Sequence, residues 1–302
     1  MLAPILLFAF SRPDHTRRAL AALAANELAD QSDLIVYADG ARNEREAASV
    51  RAVRELVRGT TGFRSVALIE RDMNFGLARN IIEGVSEVLC QHERVIVLED
   101  DLVTSPFFLT YMNEALERYA NDDRIISIHG YFFPVEVALP EAFFLPGADC
   151  WGWGTWRRGW ACFNPDGAQL LLELKQRKLE HAFNYGGSFP YTQMLEEQIA
   201  GTNDSWAIRW YASAFLLGKL TLYPGRSLVH NIGNDASGTN SDKSSMMDSV
   251  LSERPIRLEG LIVEACGPAS REVERFFRKH RRWRGTYWLK HLFGFFYSRW
   301  TA

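Results

Sequence analysis

Along the first hundred residues, short apolar runs alternate with amphipathic segments in which apolar residues recur at helical spacing. The apolar runs are rich in β-branched residues, which is typical of strands buried on both faces of a parallel sheet. We therefore predict strands at residues 4–10, 32–40, 65–72 and 94–100. We predict helices at residues 14–26, 43–58 and 76–91, with Asp14 as the N-cap of the first. This order indicates βαβ units around a parallel sheet, an α/β fold.

Beyond about residue 105 the alternation loses its regularity. Helical patterns cover residues 105–122, 167–183 and 205–217, and one apolar run covers residues 124–131. The segment 233–249 is rich in Gly, Ser and Asn and offers little to bury. The composition, 47% apolar and 24% charged over 302 residues, is that of a soluble globular protein. No segment has the roughly 20 uninterrupted apolar residues of a membrane span.

Polar residues stand where the predicted parallel strands end. They are Arg12, Asp39, Asn74, Glu99, Asp100 and Asp101. Because the carboxyl ends of parallel strands share one edge of a sheet, we expect these side chains to line one crevice. The three adjacent acids repel one another, so we expect a cation beside them. A solvated acidic loop at the end of the strand is the alternative.

Two segments around these positions resemble the GT-A nucleotide-sugar glycosyltransferases. ERDMNFGLARNIIEGVSEVL (70–89) is similar to their Asn-x-Gly-x-x-x-Arg-Asn segment. VIVLEDDLVTSPFFLTYMNEAL (95–116) closely resembles the Glu-Asp-Asp region of the N-acetylglucosaminyltransferase I-like group, here of bacterial type. The resemblance spans residues 3 to about 235. It implies a GT-A (Rossmann-like), mostly parallel central sheet flanked by helices, with a C-terminal acceptor-side subregion. It divides the chain into a nucleotide-sugar-binding half (1–105), an acceptor-binding and catalytic half (106–265) and a basic aromatic tail (266–302).

The resemblance also implies a donor site and a metal. The last acid of the triplet, Asp101, is expected to hold Mn²⁺ or Mg²⁺, with His230 as a second ligand; a merely hydrogen-bonded histidine is the alternative. Hard carboxylate oxygens suit either ion, which borrows phosphate oxygens from the donor. The residues expected to contact the nucleotide sugar are Arg12, Asp39, Asn74, Arg79, Glu99 and Asp100. For Arg79 a salt bridge along its helix is the alternative, and for Asp39 an ordinary Asp-Gly turn.

The resemblance further implies a catalytic base on a later helix, in an acidic pair that precedes a Trp. Asp204 in TNDSWAIRW takes this position, although a Ser stands where the second acid would be. Such a carboxylate would deprotonate the acceptor hydroxyl in an inverting transfer. Glu197 and Glu196 are the rival bases. A plain N-cap role for Asp204, at the helix that begins near Ser205, is the structural alternative.

The aromatic stretch CWGWGTWRRGW is the expected acceptor surface. Trp151, Trp153 and Trp156 stand among glycines there, and flat rings stack well on the apolar faces of sugars. A tightly packed core loop is the alternative. Asp149, just before this stretch, is a further polar candidate.

Charge and cysteine content bear on the surroundings of the protein. After residue 270 there are nine Lys or Arg against two Glu, mixed with aromatic residues, although the whole chain carries a net charge of -3. Residues 271–302 are therefore expected to bind an anionic membrane surface, which suits a polyprenyl-linked acceptor, or else to pack on the body with a charged outer face. The four scattered cysteines include no CxxC pair and favour a reducing compartment. With the basic end of the chain, this predicts a cytoplasmic protein at the inner face of the membrane.

The expected activity is metal-dependent, inverting transfer of a sugar from a nucleoside diphosphate donor, with uridine as the base, to a glycan or lipid-linked glycan. A sugar nucleotidyltransferase is the alternative with a similar fold, but the N-terminus lacks a Gly-rich phosphate loop with Lys. A non-catalytic glycan-binding or membrane-binding module is the alternative from another class. Nucleic acid is not an expected partner, because no recognition motif accompanies the basic residues.

Overall fold

The computed structural model describes residues 2–235 and 245–281. Within these ranges no helix combines the length and the apolar character needed to cross a membrane. The strands are β1 (Ile5–Ala9), β2 (Asp33–Ala38), β3 (Ser65–Glu70), β4 (Arg94–Glu99), β5 (Leu102–Thr104), β6 (Ile125–His129), β7 (Ala142–Pro146), β8 (Trp153–Trp156), β9 (Leu220–Pro224) and β10 (Val229–Asn231). The α-helices are α1 (Pro13–Ala24), α2 (Glu44–Arg58), α3 (Leu77–Gln91), α4 (Phe108–Arg118), α5 (Arg157–Trp160), α6 (Gly167–Gln176), α7 (Glu180–Phe183), α8 (Tyr191–Ile199), α9 (Trp206–Leu216) and α10 (Gly267–Arg281).

The predicted strand–helix order of the first hundred residues is confirmed. β1 pairs in parallel with β2 and with β4, and β3 pairs in parallel with β2. All of β1 and all but the first residue of β4 are buried, as expected for strands covered on both faces. The prediction that Asp14 caps the first helix is wrong. The N-cap is Arg12, and Pro13 starts α1 because its fixed φ suits the first helical position.

The central sheet continues from β4 into a mixed part, in the order β3-β2-β1-β4-β8-β6-β9-β7. β8 lies antiparallel between β4 and β6, β9 is parallel to β6, and β7 is antiparallel to β9. Helices α4, α6, α7 and α9 and strand β6 occur where helical patterns and an apolar run predict them. The α/β class and the large central sheet flanked by helices are thus confirmed. The division into three functional parts stays a prediction.

A small second sheet bears on the acid triplet. β5 begins directly after Asp101, and β10 pairs antiparallel with it, with Asn231 opposite Leu102. The backbone N–H of Ile232 then donates to the carbonyl of Asp101 at 2.9 Å. This pairing brings a segment more than a hundred residues away onto the end of β4.

Helix α10 covers part of the region predicted as a tail. Phe276 and Phe277 are buried, and the Phe277 ring lies 5.1 Å from that of Phe133 and 4.8 Å from that of Phe189. For these two rings the structure therefore shows the packed-helix alternative rather than a membrane-facing one. Residues 282–302, and residues 236–244 of the polar segment, lie outside the described ranges. The membrane-surface prediction for the rest of the tail therefore stays a prediction.

Candidate active site

The acid triplet lies at the carboxyl end of β4, at the middle of the sheet, and it is buried. Glu99, Asp100 and Asp101 are 3%, 4% and 1% exposed, so the solvated-loop alternative is excluded. Arg12, at the end of the neighbouring β1, places Nη2 at 2.6 Å from Asp100 Oδ1 and 2.8 Å from Asp101 Oδ2. The backbone N–H of Phe10 donates to the other oxygen of Asp100 at 3.3 Å. The predicted meeting of the ends of β1 and β4 is thus confirmed.

Electrostatics shows that this cluster carries excess negative charge. Burial raises the pKa of Glu99 well above its ordinary value, and the charges of Asp101 and Asp100 raise it further. Burial also raises the pKa of Asp101, against the attraction of Arg12. Burial alone would lower the pKa of Arg12, but the charges of Asp100 and Asp101 outweigh burial, so the pKa of Arg12 is raised. One guanidinium does not balance three carboxylates, so the cluster favours a further cation or a proton.

The oxygens left over in the cluster suit a divalent cation. Asp101 Oδ1 and Glu99 Oε2 are buried and have no hydrogen-bond partner. Oxygen donors of this kind are what Mn²⁺ and Mg²⁺ prefer. In residues 2–235 and 245–281, no three His, Cys, Asp or Glu side chains are grouped as a complete metal site. The residues therefore fit an ion that takes one or two protein ligands and completes its shell with phosphate oxygens and water.

His230 and Gly233 belong to the segment that β10 brings to the triplet. His230 lies opposite Val103, and its Nδ1 is buried without a hydrogen-bond partner, so a second-ligand role stays a prediction. Gly233 packs so closely on the Asp101 carboxylate that a β-carbon would overlap Oδ2 and come within 3.1 Å of Arg12 Nη1. The absence of a side chain at Gly233 is therefore a condition for the Arg12–Asp101 pair.

The sequence analysis missed His15. This buried side chain lies in the first turn of α1, with Nε2 at 3.2 Å from Asp235 Oδ2. A positive charge at His15 acts against the rise that burial causes in the pKa of Asp101. The available signal was spacing: His15 stands three residues after Arg12, and side chains three apart share a helix face.

Asp39 organises the loop after β3. Its carboxylate accepts hydrogen bonds from the backbone N–H groups of Gly40, Phe75 and Gly76 at 2.8–3.0 Å and from Asn74 Nδ2 at 3.0 Å. Both oxygens are thus engaged within the protein, which favours the turn alternative over a direct contact with the base. Asn74 Nδ2 also donates to the Gly40 carbonyl at 2.8 Å. Burial raises the pKa of Asp39, and these N–H donors oppose the rise.

Arg79 takes the alternative role proposed for it. Its Nε lies 2.7 Å from Glu83 Oε1, one helical turn along α3, and its guanidinium stacks at 3.9 Å from the Phe75 ring centroid. The guanidinium of Arg71 also lies over the Phe75 ring, 4.7 Å from its centroid. Phe75 is therefore held by two cations at the edge of the crevice. A donor contact by Arg79 stays a prediction that would require it to leave Glu83.

The predicted bases lie on the surface beyond the central sheet. Asp204 is largely exposed, and its Oδ1 is 3.9 Å from Arg209 Nη2. The N-cap alternative for Asp204 is wrong: Ser205 caps α9, its Oγ accepting from the N–H of Ile208 at 3.0 Å. The surrounding protein raises the pKa of Asp204 by desolvation, against the pull of Arg209. Glu197 accepts from Gln193 on α8, and Glu196 pairs with Lys175.

The three predicted acceptor tryptophans are buried. Trp151, Trp153 and Trp156 are 5%, 1% and 4% exposed, and Trp153 lies in a ring cluster 5.4 Å from Trp206. Trp156 Nε1 donates to the carbonyl of Leu116 at 2.9 Å. β8 needs this apolar content because it crosses the middle of the sheet. The burial favours the core alternative over stacking on an acceptor sugar.

Similarity to known proteins is low. No protein-family profile matches the sequence, and no curated protein is similar to it. A Pyrobaculum calidifontis mannosyltransferase solved with GDP-Man and Mn²⁺ is 12% identical, with a TM-score of 0.31 over 44% of this chain and 36% of that one. S. aureus TarS 1–349 is 11% identical, with a TM-score of 0.42 over 76% of this chain and 60% of that one. The chain thus spans less than two thirds of either structure, and its function has to be inferred from its own site.

Proposed function

We propose that the protein is a glycosyltransferase that transfers a sugar from a nucleoside diphosphate donor to a hydroxyl of a glycan or lipid-linked glycan. The observation that carries the proposal is the buried triplet at the end of β4, tied to Arg12 and left with unpaired carboxylate oxygens. Ligands of open α/β sheets bind at this edge of the strands. A cluster with excess negative charge binds a diphosphate only together with a cation, and the oxygens for that cation are present.

Asp101 is the residue that would hold Mn²⁺ or Mg²⁺, with His230 as the second ligand. When bound, such an ion neutralises the diphosphate leaving group. The charge of Arg12 opposes the rise that burial causes in the pKa of Asp101, and so favours the ionised carboxylate there. Its Nε and Nη1 have no hydrogen-bond partner within the described ranges, so they remain available as charge-assisted donors to a phosphate. Glu99 and Asp100 would form the rest of the polar wall of the donor-binding crevice, and Asn74 would lie at its rim.

For the acceptor step we propose inversion, with Asp204 as the base and Glu197 as the alternative. The raised pKa of Asp204 supports this choice, because a base works best when its pKa approaches the working pH. Uridine as the donor base, a hexose or N-acetylhexosamine as the sugar and the N-acetylglucosaminyltransferase I-like group are the finer parts of the proposal. A cytoplasmic site of action, with the basic end of the chain on an anionic membrane, completes it.

The test is a thermal-unfolding panel of nucleoside diphosphates with and without Mn²⁺. It compares the wild type with Asp101→Asn, which keeps the shape of the side chain but removes its charge. The control variant is Asp123→Asn, which neutralises an exposed carboxylate away from the cluster. One nucleoside diphosphate is expected to raise the midpoint of the wild type and of the control, and only with Mn²⁺. At about 100 times its Kd the ligand adds about 2.7 kcal/mol of stability.

Asp101→Asn should show no such shift while unfolding with a single sharp transition. A wild type that responds to no diphosphate in either condition would overturn the proposal. A shift that persists in Asp101→Asn would leave nucleotide binding but reject Asp101 as the metal ligand.

A further inference from the structure

A second carboxylate site lies away from the triplet. Asp149, in the loop between β7 and β8, opens into a pocket whose walls are mainly aromatic. The rings that line it belong to Phe133, Tyr185, Tyr191, Tyr211 and Tyr223. Each of these rings except that of Tyr185 is at most 8% exposed, so the opening is narrow. The pocket therefore suits a small group rather than a whole pyranose ring.

Asp149 has no cationic partner in the described ranges. One of its oxygens accepts from the backbone N–H of Cys150 at 2.9 Å, and no Lys, Arg or His of residues 2–235 and 245–281 forms an ion pair with it. The nearby His129 does not supply the charge. Burial lowers the pKa of His129 even though Asp149 pulls it upward, so the imidazole is neutral at neutral pH. A half-buried carboxylate without a counter-charge is costly unless a ligand supplies one.

The rings around Asp149 are arranged in a way that suits a cation. Tyr185 and Tyr211 are nearly parallel, with an angle of 11° between the rings and 6.4 Å between the centroids. Tyr191 lies 4.7 Å from Tyr211 and 6.1 Å from Tyr185. Ring faces carry negative charge density and attract organic cations, most strongly when water is excluded. Asp149 and these rings line one pocket, so a cation bound there would meet both the carboxylate and the aromatic wall.

The backbone of Tyr185 supports a functional role for this wall. Its φ is +46°, in the left-handed region that non-glycine residues rarely adopt, and Gly186 and Gly187 continue the turn with φ of +61° and +72°. Phe277 of α10 packs behind the Tyr185 ring at 5.8 Å. Strained backbone of this kind persists where the surroundings hold it and tends to cluster at binding sites.

We infer that the pocket of Asp149, Tyr185, Tyr191, Tyr211 and Tyr223 binds an organic ammonium group. The carboxylate gives the charge, the rings give the cation–π contacts, and the narrow opening selects a small substituted ammonium. On the basis of the proposed function, that ammonium would belong to the acceptor, as an unacetylated amino sugar or an aminoalkyl substituent. The binding site itself does not depend on the proposed function.

The proximity of this pocket to the triplet agrees with an acceptor role. Burial raises the pKa of the Cys150 thiol, and the charges of Asp149, Glu99 and Asp101 raise it further. One side chain thus lies within the electrostatic reach of both sites. Ala207 and Ile208, from the first turn of α9 just after Asp204, also line the pocket.

The experiment is saturation-transfer NMR with methylammonium and tetramethylammonium chloride, against sodium chloride at equal ionic strength. The wild type is expected to transfer saturation to the methyl protons without any nucleotide. Asp149→Asn should weaken this binding by about tenfold or more, because both the charge and its alignment with the rings are lost. Asp248→Asn is the matched control, because it removes an exposed carboxylate that acts on nearby Tyr131 but does not line the pocket.

Tyr185→Leu provides a second test, which serves also if Asp149→Asn fails to fold. It removes a partly exposed ring at the mouth and should weaken tetramethylammonium more than methylammonium. Glucosamine should compete with methylammonium, whereas N-acetylglucosamine, which lacks the charge, should not. Equal binding by the wild type and Asp149→Asn, or no binding by the wild type, would overturn the inference. Because no nucleotide is present, neither result bears on the donor-site proposal.

Discussion

The triplet at the end of β4 and Asp149 both act on the thiol of Cys150, yet they handle their charge in opposite ways. The triplet is almost fully buried and binds its own counter-ion, Arg12, through two carboxylates. Asp149 is only half-buried, is surrounded by rings and pairs with no cation in the described ranges. The charge of the first site is thus partly neutralised by the protein itself, whereas no cation of the described ranges neutralises the charge of the second.

The difference shows what each site can accept. A buried carboxylate cluster with one guanidinium still carries excess charge that a small, hard cation can neutralise. A single carboxylate among ring faces instead suits a larger and more weakly hydrated cation. Under the proposed function, the two sites would divide the reaction, with a metal ion on the donor side and an organic ammonium group on the acceptor side.

The largest loss of stability is expected when the triplet loses its cation, as Asp149 already lacks one. Arg12→Met removes the partner of two buried carboxylates, and breaking a buried pair of this kind costs about 3–5 kcal/mol of unfolding free energy. Urea denaturation at neutral pH measures the loss. Arg17→Met is the control, since the ion pair that Arg17 forms in the described ranges is an exposed one with Asp14 on the same helix. Equal stability of Arg12→Met and Arg17→Met would show that the triplet is not ionised in the folded protein.

A smaller loss is expected from crowding the same site. Gly233→Ala places a methyl group against Asp101 Oδ2, which Arg12 and the buried surroundings prevent from moving away. Overpacking of this kind costs about 1–3 kcal/mol, and it should also abolish the Mn²⁺-dependent nucleotide shift. Gly59→Ala is the control, because a β-carbon there meets only ordinary contacts at 3.7 Å. A Gly233→Ala protein that unfolds like the wild type would show that the segment after β10 does not rest on the triplet.

Removing the charge of Asp149 should change the free energy of unfolding very little, or raise it slightly. Asp149→Asn removes a carboxylate that has no cationic partner in the described ranges, so we expect a change of less than about 1 kcal/mol, and in the stabilising direction. Urea denaturation without added amines measures it. A loss as large as that of Arg12→Met would mean that Asp149 is already paired in the folded protein and would remove the contrast between the two sites.

The two sites also differ in how far sequence foretells them. For β1 to β4 and the helices between them, the spacing of apolar residues and the polar residues at strand ends were enough to predict the structure. This is because these strands pair within consecutive βαβ units. Arg12 and the triplet were found in this way. The engagement of Asp39 by Phe75 and Gly76 was not, because it depends on how the chain turns after β3. An Asp-Gly pair alone does not distinguish a loop organiser from a ligand contact.

The second half shows why the rest could not be predicted. The CWGWGTWRRGW stretch suggested a binding surface because its aromatic residues stand among glycines, but it forms β8 between β4 and β6. The spacing of apolar residues within this stretch does not reveal that β4 and β6 will cover it on both sides. The pocket beside Asp149 takes its rings from separate segments that extend from Phe133 to Tyr223, and isolated tyrosines carry no spacing signal.

The smallest effect concerns Asp204, at the helix that borders the second site. Although Asp204 is largely exposed, desolvation by the surrounding protein raises its pKa, and desolvation lowers the pKa of Arg209, so for both partners of this 3.9 Å pair it outweighs their attraction. In Arg209→Met only the upward influence on Asp204 remains, and its pKa should rise further above the ordinary value of about 3.9. Carboxyl-carbon NMR titration measures this directly, with Arg226→Met, which alters a separate pair with Glu141, as the control. Since the folded carboxyl binds its proton more tightly than the unfolded one, its contribution to stability is largest at acid pH and falls as pH rises toward the folded pKa. An Asp204 that titrates below the ordinary value, or that ignores Arg209→Met, would mean that Arg209 and solvent control it and that it is poorly suited to act as a base.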